Sequence, residues 1–264
     1  MKLTRRLVLA AAAVTMMASA APAMADIKFG VAAEPYPPYS SKDAAGKWVG
    51  WEIDLMDALC AEIKEKCELV EVAWDGIIPS LTSKQIDVIW SSMSVTEERK
   101  KTIDFSSVYY NTPSVLIGTK NGDKEIAPDH LKGKIIGVQV STTHERYAQK
   151  FFGAAGAEIK TYSTQDEANN DLAAGRLDYV QADSTALYAF LATSQGTDCC
   201  EVKGIVPEDA ETLGAGVGAG VRKEDTALKE KISAGIAALA KAGKFDEITA
   251  KYPEIKDVIV TPKM

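Results

Sequence analysis

From Ile27 onward, short runs rich in β-branched residues alternate with stretches whose apolar positions recur at helical spacing. The pattern predicts strands over residues 27–33, 68–73 and 86–91, with helices over 52–66 and 75–84 between them. The rhythm breaks at Tyr109-Tyr110-Asn111-Thr112-Pro113, and a β-rich run follows at 114–119. After the polar segment 120–129 a second series begins, with strands expected at 135–139, 158–161 and 177–181. Its helices are expected from about residue 143, over 165–174 and from near Asp183. Residues 80–87 and 171–178 each close a helix and enter a buried strand, so the two series look like similar units without forming a sequence repeat. Beyond Pro207, glycines alternate from Gly214 to Gly220, which suits an extended, closely packed strand. A helix over 225–241 with Asp225 as N-cap, a break at Gly243 and a second helix stopped by Pro253 end the pattern. Alternation of this kind predicts α/β architecture with largely parallel strands. Three segments with two crossings imply two lobes, 26–110 with 217–264 and 115–207, joined by crossover hinge strands at 111–114 and 208–216.

The first 25 residues follow a different plan. Lys2, Arg5 and Arg6 precede an apolar run from Leu7 to Met17, and Ala23-Met24-Ala25 follows. A basic head, a short apolar middle and a small-x-small end read as a cleavable signal peptide, with the mature chain starting at Asp26. The apolar run, about a dozen residues, is shorter than the roughly 20 that span a bilayer. Export to the periplasm of a Gram-negative cell is therefore expected.

Without the leader, 27 basic residues stand against 37 acidic ones, a net charge of −10. An acidic surface argues against nucleic acid as a partner and offers no basic patch to anionic lipid. The glycine alternation has neither GxGxxG register nor GK[ST], so it is not a phosphate cradle. Four cysteines would meet an oxidising compartment. Cys60 and Cys67 fall at the end of a predicted helix and the start of the next strand, and are read as a structural disulfide. For the adjacent Cys199 and Cys200, a vicinal disulfide, two free thiols and a bond to another chain all stay open. With two histidines, His130 and His144, and no CxxC spacing, neither a metal nor another cofactor is expected.

The most informative stretch is Ser91-Ser92-Met93-Ser94-Val95-Thr96-Glu97-Glu98-Arg99. Two hydroxyls fall at the C-terminal end of an apolar strand, where open α/β sheets place their ligands, and a helix start follows. Hydroxyls, free amides and the planar fork of Arg99 favour an anion, a carboxylate above all. Ser141-Thr142-Thr143 stands in the same relation to the strand 135–139, and Asp183 to the strand 177–181. An acid opposite an arginine would hold both ends of a zwitterion across a cleft. Plainer roles compete: Thr96 and Asp183 as N-caps, and Arg99 as a solvated helix residue.

Several ordered motifs span the chain after the leader: Pro37-Pro38-Tyr39, Gly50-Trp51-Glu52-Ile53-Asp54-Leu55, Ile78-Pro79-Ser80-Leu81, the serine-rich segment above, Leu131-Lys132-Gly133-Lys134 and Gly175-Arg176-Leu177-Asp178. Together they resemble the polar amino-acid-binding family of ABC-importer periplasmic proteins (solute-binding protein family 3), and within it the lysine/arginine/ornithine- and histidine-binding branch. The resemblance implies a type II periplasmic binding protein fold that captures a polar or basic L-amino acid, or an amino-acid-derived opine, between its lobes. It implies a membrane permease as partner, a monomer, and no catalysis. It also implies that Arg99 grips the α-carboxylate with Ser94 and Thr143, that Asp183 and Ser92 take the α-ammonium, and that Ser91 reaches the ligand's polar side. Tyr36 and Trp74 match the aromatic positions that sandwich the ligand side chain, and Cys60 with Cys67 matches a disulfide of the branch.

The sequence departs from the branch where an acid would pair with a cationic side chain. Ala33 stands at that position and Glu34 beside it. If the loop shifts by one residue, Glu34 serves; if not, neutral or sugar-bearing ligands are favoured. Gln139 and His144 replace an apolar residue and an amide, and both would suit a longer, more polar ligand. The competing classes are a periplasmic enzyme on the same scaffold, similar to cyclohexadienyl or arogenate dehydratases, and an amino-acid sensor that serves a membrane receptor.

Overall fold

The computed structural model describes residues 26–262; the leader lies outside them. Two five-stranded sheets organise the chain, each built by the same rule. In the first, β1 (Ile27–Ala32) pairs in parallel with β4 (Cys67–Val72) and β5 (Val88–Ile89), and β12 (Val217–Val221) then runs antiparallel to β5 and β6 (Asp104–Tyr110). The order is β4-β1-β5-β12-β6. In the second, β8 (Ile135–Gln139) pairs in parallel with β9 (Glu158–Tyr162) and β10 (Tyr179–Asp183). There β7 (Ser114–Thr119) runs antiparallel to both β10 and β11 (Cys200–Ile205), giving β11-β7-β10-β8-β9. A short hairpin, β2 (Ser41–Lys42) with β3 (Trp48–Val49), stands apart from both sheets.

Helices cover both faces of each sheet, so the strands read as nearly continuous apolar runs. Successive side chains point to opposite faces. In β7, Val115 and Ile117 join one core with Leu172, Val180 and Leu187, while Leu116 joins another with Ile136, Tyr147 and Phe152. The first faces α5 (Gln165–Ala173) and α6 (Ser184–Leu191), and the second faces α4 (Thr143–Tyr147) and its π-helical continuation Ala148–Gly153. In the first lobe α1 (Trp51–Glu62), α8 (Thr226–Lys241) and α9 (Lys244–Thr249) cover one face, and α2 (Ile77–Thr82) covers the other. The chain's last helices thus complete the first lobe. The Trp51 indole donates to Thr249 Oγ1 at 2.9 Å, and a Cβ on Gly235 of α8 would meet Leu59 Cδ1 at 2.5 Å, so that helix pair needs glycine to approach as closely as it does. Two short helices, α3 (Glu97–Lys100) and α7 (Ser194–Cys199), complete the set.

The first crossing between sheets is extended: Asn111 bridges Val260, and Ser114 opens β7. The second was expected as a strand over 208–216, but residues 210–213 form a turn. Asp209 causes it by accepting from both the N–H and the hydroxyl of Thr212, at 2.9 and 2.7 Å. Both cysteine pairs are oxidised. Cys60–Cys67 ties the end of α1 to the start of β4, and Cys199 is bonded to Cys200, one of the alternatives the sequence left open.

Candidate functional site

The C-terminal ends of the parallel strands of both sheets face one another, and the residues just beyond them line one cavity of about 520 Å³, its mouth included. Behind β1 come Glu34 and Tyr36, behind β4 Trp74, and behind β5 Ser91, Ser92 and Ser94 with Arg99 from α3. From the other lobe come Gln139 at the end of β8, Thr142 and Thr143 at the start of α4, and Asp183 at the end of β10. All eleven side chains expected from the sequence thus meet in one place. This is the strand-end geometry in which open α/β sheets bind ligands, presented twice.

Local structure aims these groups. Tyr36 sits in a tight loop, with its N–H bonded to the Ser40 carbonyl at 2.7 Å. That loop packs on Gly50, whose φ of 134° and whose missing Cβ, which would lie 2.2 Å from the Tyr39 oxygen, leave room for no other residue. Ser92 and Ser141 hold left-handed backbone, with φ of 49° and 62°, each in the turn between a strand and a helix. Non-glycine residues in this region cost energy and cluster where function needs them.

Arg99 is buried, not solvated. One of its terminal nitrogens donates to the Ser94 carbonyl at 2.9 Å and the other to Ser141 across the cleft at 3.1 Å, while its guanidinium lies 5.6 Å from the centre of the Trp74 ring. A guanidinium has five N–H bonds, so donors remain for an anion. Burial and the nearby Arg146 pull its pKa down to about 9. Thr96 does cap α3, accepting the Arg99 N–H at 3.2 Å, so the cap and the buried arginine coexist.

Asp183 precedes α6 but makes no side-chain cap bond. Its carboxylate instead accepts from the Tyr36 hydroxyl at 2.6 Å and from Thr112 at 3.1 Å, with His144 Nε2 at 3.6 Å. Burial alone would raise the carboxyl, but His144, Tyr36 and Thr112 hold it below its ordinary range. The Tyr36 hydroxyl, buried beside that carboxylate, is pushed well above its usual value.

The remaining expected residues divide by what their polar atoms already do. Thr142 lines the cavity, but its hydroxyl donates to the Gln139 carbonyl at 2.7 Å and accepts the Glu145 N–H at 3.1 Å, so it serves as the cap of α4. Thr143, buried next to it, has no such commitment among the bonds formed. Glu34 lines the cavity and accepts the Trp74 N–H at 3.2 Å, whereas Ala33 is exposed and does not line it. Two polar residues, one in the wall and one behind it, were given no role by the sequence reading. Gln165 was placed at the start of a helix but given no role, though it opens α5 beyond β9 and is buried in the wall, as the strand-end rule would have suggested. Glu52 was placed at the start of a helix and within a motif but given no role; it lies buried directly behind Ser92.

The lobes are shut on this cavity. Beyond the Tyr36–Asp183 and Arg99–Ser141 bonds, the Trp74 indole donates to the Val140 carbonyl at 3.1 Å, Arg146 to Thr96 at 3.2 Å and Thr185 to the Tyr39 hydroxyl at 2.7 Å. Among the described residues, no group of His, Cys, Asp and Glu could hold a metal ion, and no helix is long and apolar enough to cross a membrane.

Two lobes closed over a cavity that carries an arginine from one side and a carboxylate from the other have the form of a solute-binding protein. The chain belongs to the bacterial extracellular solute-binding proteins, family 3, whose family model matches residues 27–254. It is 43% identical to the L-arginine-binding protein of Pseudomonas aeruginosa over 86% of this chain and 87% of that one. Its identity to the histidine-binding periplasmic protein of Salmonella typhimurium is 37%, over 94% and 96% of the two chains. Among solved structures, an ancestral arginine-binding protein bound to arginine superposes with a TM-score of 0.79 at 32% identity, covering 86% of this chain and 97% of that one. These relatives are binding proteins.

Proposed function

We propose that this protein captures a basic L-amino acid in the periplasm and delivers it to an ABC permease. In this reading Arg99, with Ser94 and Thr143, holds the α-carboxylate, and Asp183 with Ser92 holds the α-ammonium. Tyr36 and Trp74 flank the side chain, Ser91 and Gln139 offer it polar contacts, and Glu34 meets its distal cation. The observation that carries the reading is the pairing of buried Arg99 with half-buried Asp183, a cation and an anion contributed by opposite lobes to one cavity. The position of Glu34 in the wall, with Ala33 outside it, supports a cationic ligand. The leader would direct export, the mature chain would act as a monomer, and the crossings at 111–114 and 208–216 would be the hinge.

A second reading, an opine, has its own support. A further chamber on the hinge side shares Ser94, Thr143, His144 and Asp183 with the first, and would admit a substituent on the α-nitrogen.

A thermal-shift screen of the chain from Asp26, refolded to strip carried ligand, tests both readings against common amino acids, ornithine and representative opines. A ligand at a thousand times its Kd adds about 4 kcal/mol of stability, raising the Tm of a chain this size by about 10 °C. Arginine, lysine, ornithine or histidine should do so, and opines should not exceed them. Arg99→Ala should weaken every one of these by about a hundredfold or more, because it leaves a desolvated carboxylate unpaired. No shift with any compound, or wild-type binding by Arg99→Ala, would overturn the proposal.

A further inference from the structure

Ser92 has two polar hydrogens, and both point away from the cleft. Its N–H donates to Glu52 Oε1 at 3.0 Å and its hydroxyl to Glu52 Oε2 at 2.8 Å. Glu52, the second residue of α1, is fully buried, and the Tyr109 hydroxyl also donates to its Oε1. Burial raises the Glu52 carboxyl above its ordinary value, while the three hydrogens aimed at it from Tyr109 and Ser92 favour the ionised form; as a carboxylate it can only accept. With both hydrogens committed to it, Ser92 can show the cavity nothing but oxygen lone pairs. The neighbouring Ser91 is arranged in the opposite sense: its Oγ accepts the Ala32 N–H at 2.9 Å and keeps its own hydrogen to donate. Two adjacent serines of identical chemistry are thus given opposite polarity by what stands behind them.

We infer that Glu52 is a positioning residue that makes Ser92 an acceptor-only wall and so selects a cationic group, the ligand's α-ammonium, at that point of the cleft. The inference rests on the amino-acid reading and deepens it. Glu52 also grips the left-handed Ser92 by two atoms, which holds in place a backbone that serine adopts only at a cost. Replacing the carboxylate with an amide would reverse the serine. Two of the three hydrogens now aimed at Glu52, those of the Ser92 N–H and the Tyr109 hydroxyl, would keep the amide oxygen in the place of Oε1. The NH₂ group would then stand in the place of Oε2, donate to Ser92 Oγ and turn the serine hydrogen into the cleft, against the ammonium.

The test uses titration calorimetry with L-arginine and with 5-guanidinopentanoate, the same molecule without its α-amino group. The proteins are wild type, Glu52→Gln, Ser92→Ala and the double variant. Glu52→Gln should weaken L-arginine about tenfold or more, leave the des-amino acid within about twofold, and add less than about twofold once Ser92 is alanine. Equal losses for both compounds, or a full extra loss in the Ser92→Ala background, would reduce Glu52 to a support of the fold and overturn the inference. Neutron diffraction of the ligand-free wild type reads the serine directly, whether or not the variants fold. A deuteron between Ser92 Oγ and Glu52 supports the assignment, and one pointing into the cavity refutes it. A wild type that binds neither compound would sink the amino-acid reading, and the deuteron alone would then decide the role of Glu52.

Discussion

Asp183 shows how a side chain placed for a local role is committed elsewhere by its partners. Its position before α6 suits an N-cap, yet its oxygens face Tyr36, Thr112 and His144. Because these hold its carboxyl below the ordinary 3.8, an unfolded chain takes up protons first as the pH falls. The stability that ionised Asp183 contributes is therefore complete above about pH 4 and is lost as the pH drops through the lower folded value. Wild type should exceed Asp183→Asn by about 1–2 kcal/mol in urea unfolding at pH 7. That margin should shrink between about pH 4 and pH 2; a margin constant with pH would show that Asp183 contributes no charge-dependent stability. Placement in the cavity wall was legible where residue type and strand-end position agreed, as for Arg99 and Asp183. Roles were not legible where hydrogen-bond commitment decides. Thr142 and Thr143 are alike in sequence, and only the cap bonds of Thr142 separate them. Gln165 and Glu52 are ordinary helix-start residues until their burial beside the cleft is known.

At the scale of elements, β7 and β8 fell where the apolar pattern put them, because both are buried on two faces and read as unbroken apolar runs. Strand β6 was missed, since Ser106 and Ser107 interrupt its apolar run and its register with β12 slips. Strand β11 carries Lys203 and Gly204 at a similar slip against β7. An irregular strand loses the strict alternation by which a sequence announces it. The α1–β4 connection is a simpler case, held by Cys60–Cys67 across 7 residues. A loop that short gains about 2 kcal/mol from closure of the unfolded chain. Cys60→Ser with Cys67→Ser should lower the Tm by about 5 °C in scanning calorimetry and leave ligand affinity unchanged, since neither cysteine lines the cavity. An unchanged Tm would mean that α8 and α9 already fix α1.

The whole molecule couples these elements through closure. In the shut state Arg99 is a buried cation whose charged form is disfavoured, as its lowered pKa records. In the proposed reading an incoming carboxylate would relieve that penalty, and Thr143 of the other lobe would reach it only in the shut state. The ligand would therefore bind the closed form better than the open one, and this difference would move the equilibrium. Taking a population from 1:99 to 99:1 requires about 10⁴-fold preference, within reach of a charge-paired carboxylate and ammonium. Trp74 reports the motion, because its indole donates to Val140 on the opposite lobe. With the lobes apart that N–H would meet water. Trp51 and Trp90 lie in the first lobe's core, and Trp48 donates to Glu71 within the same lobe. Ligand should therefore shift tryptophan emission to the blue and reduce the radius of gyration in X-ray scattering, and Trp74→Phe should abolish the first change while keeping the second. An emission change that survives in Trp74→Phe would place the reporting indole outside the cleft, and an unchanged radius on binding would mean that the lobes do not open.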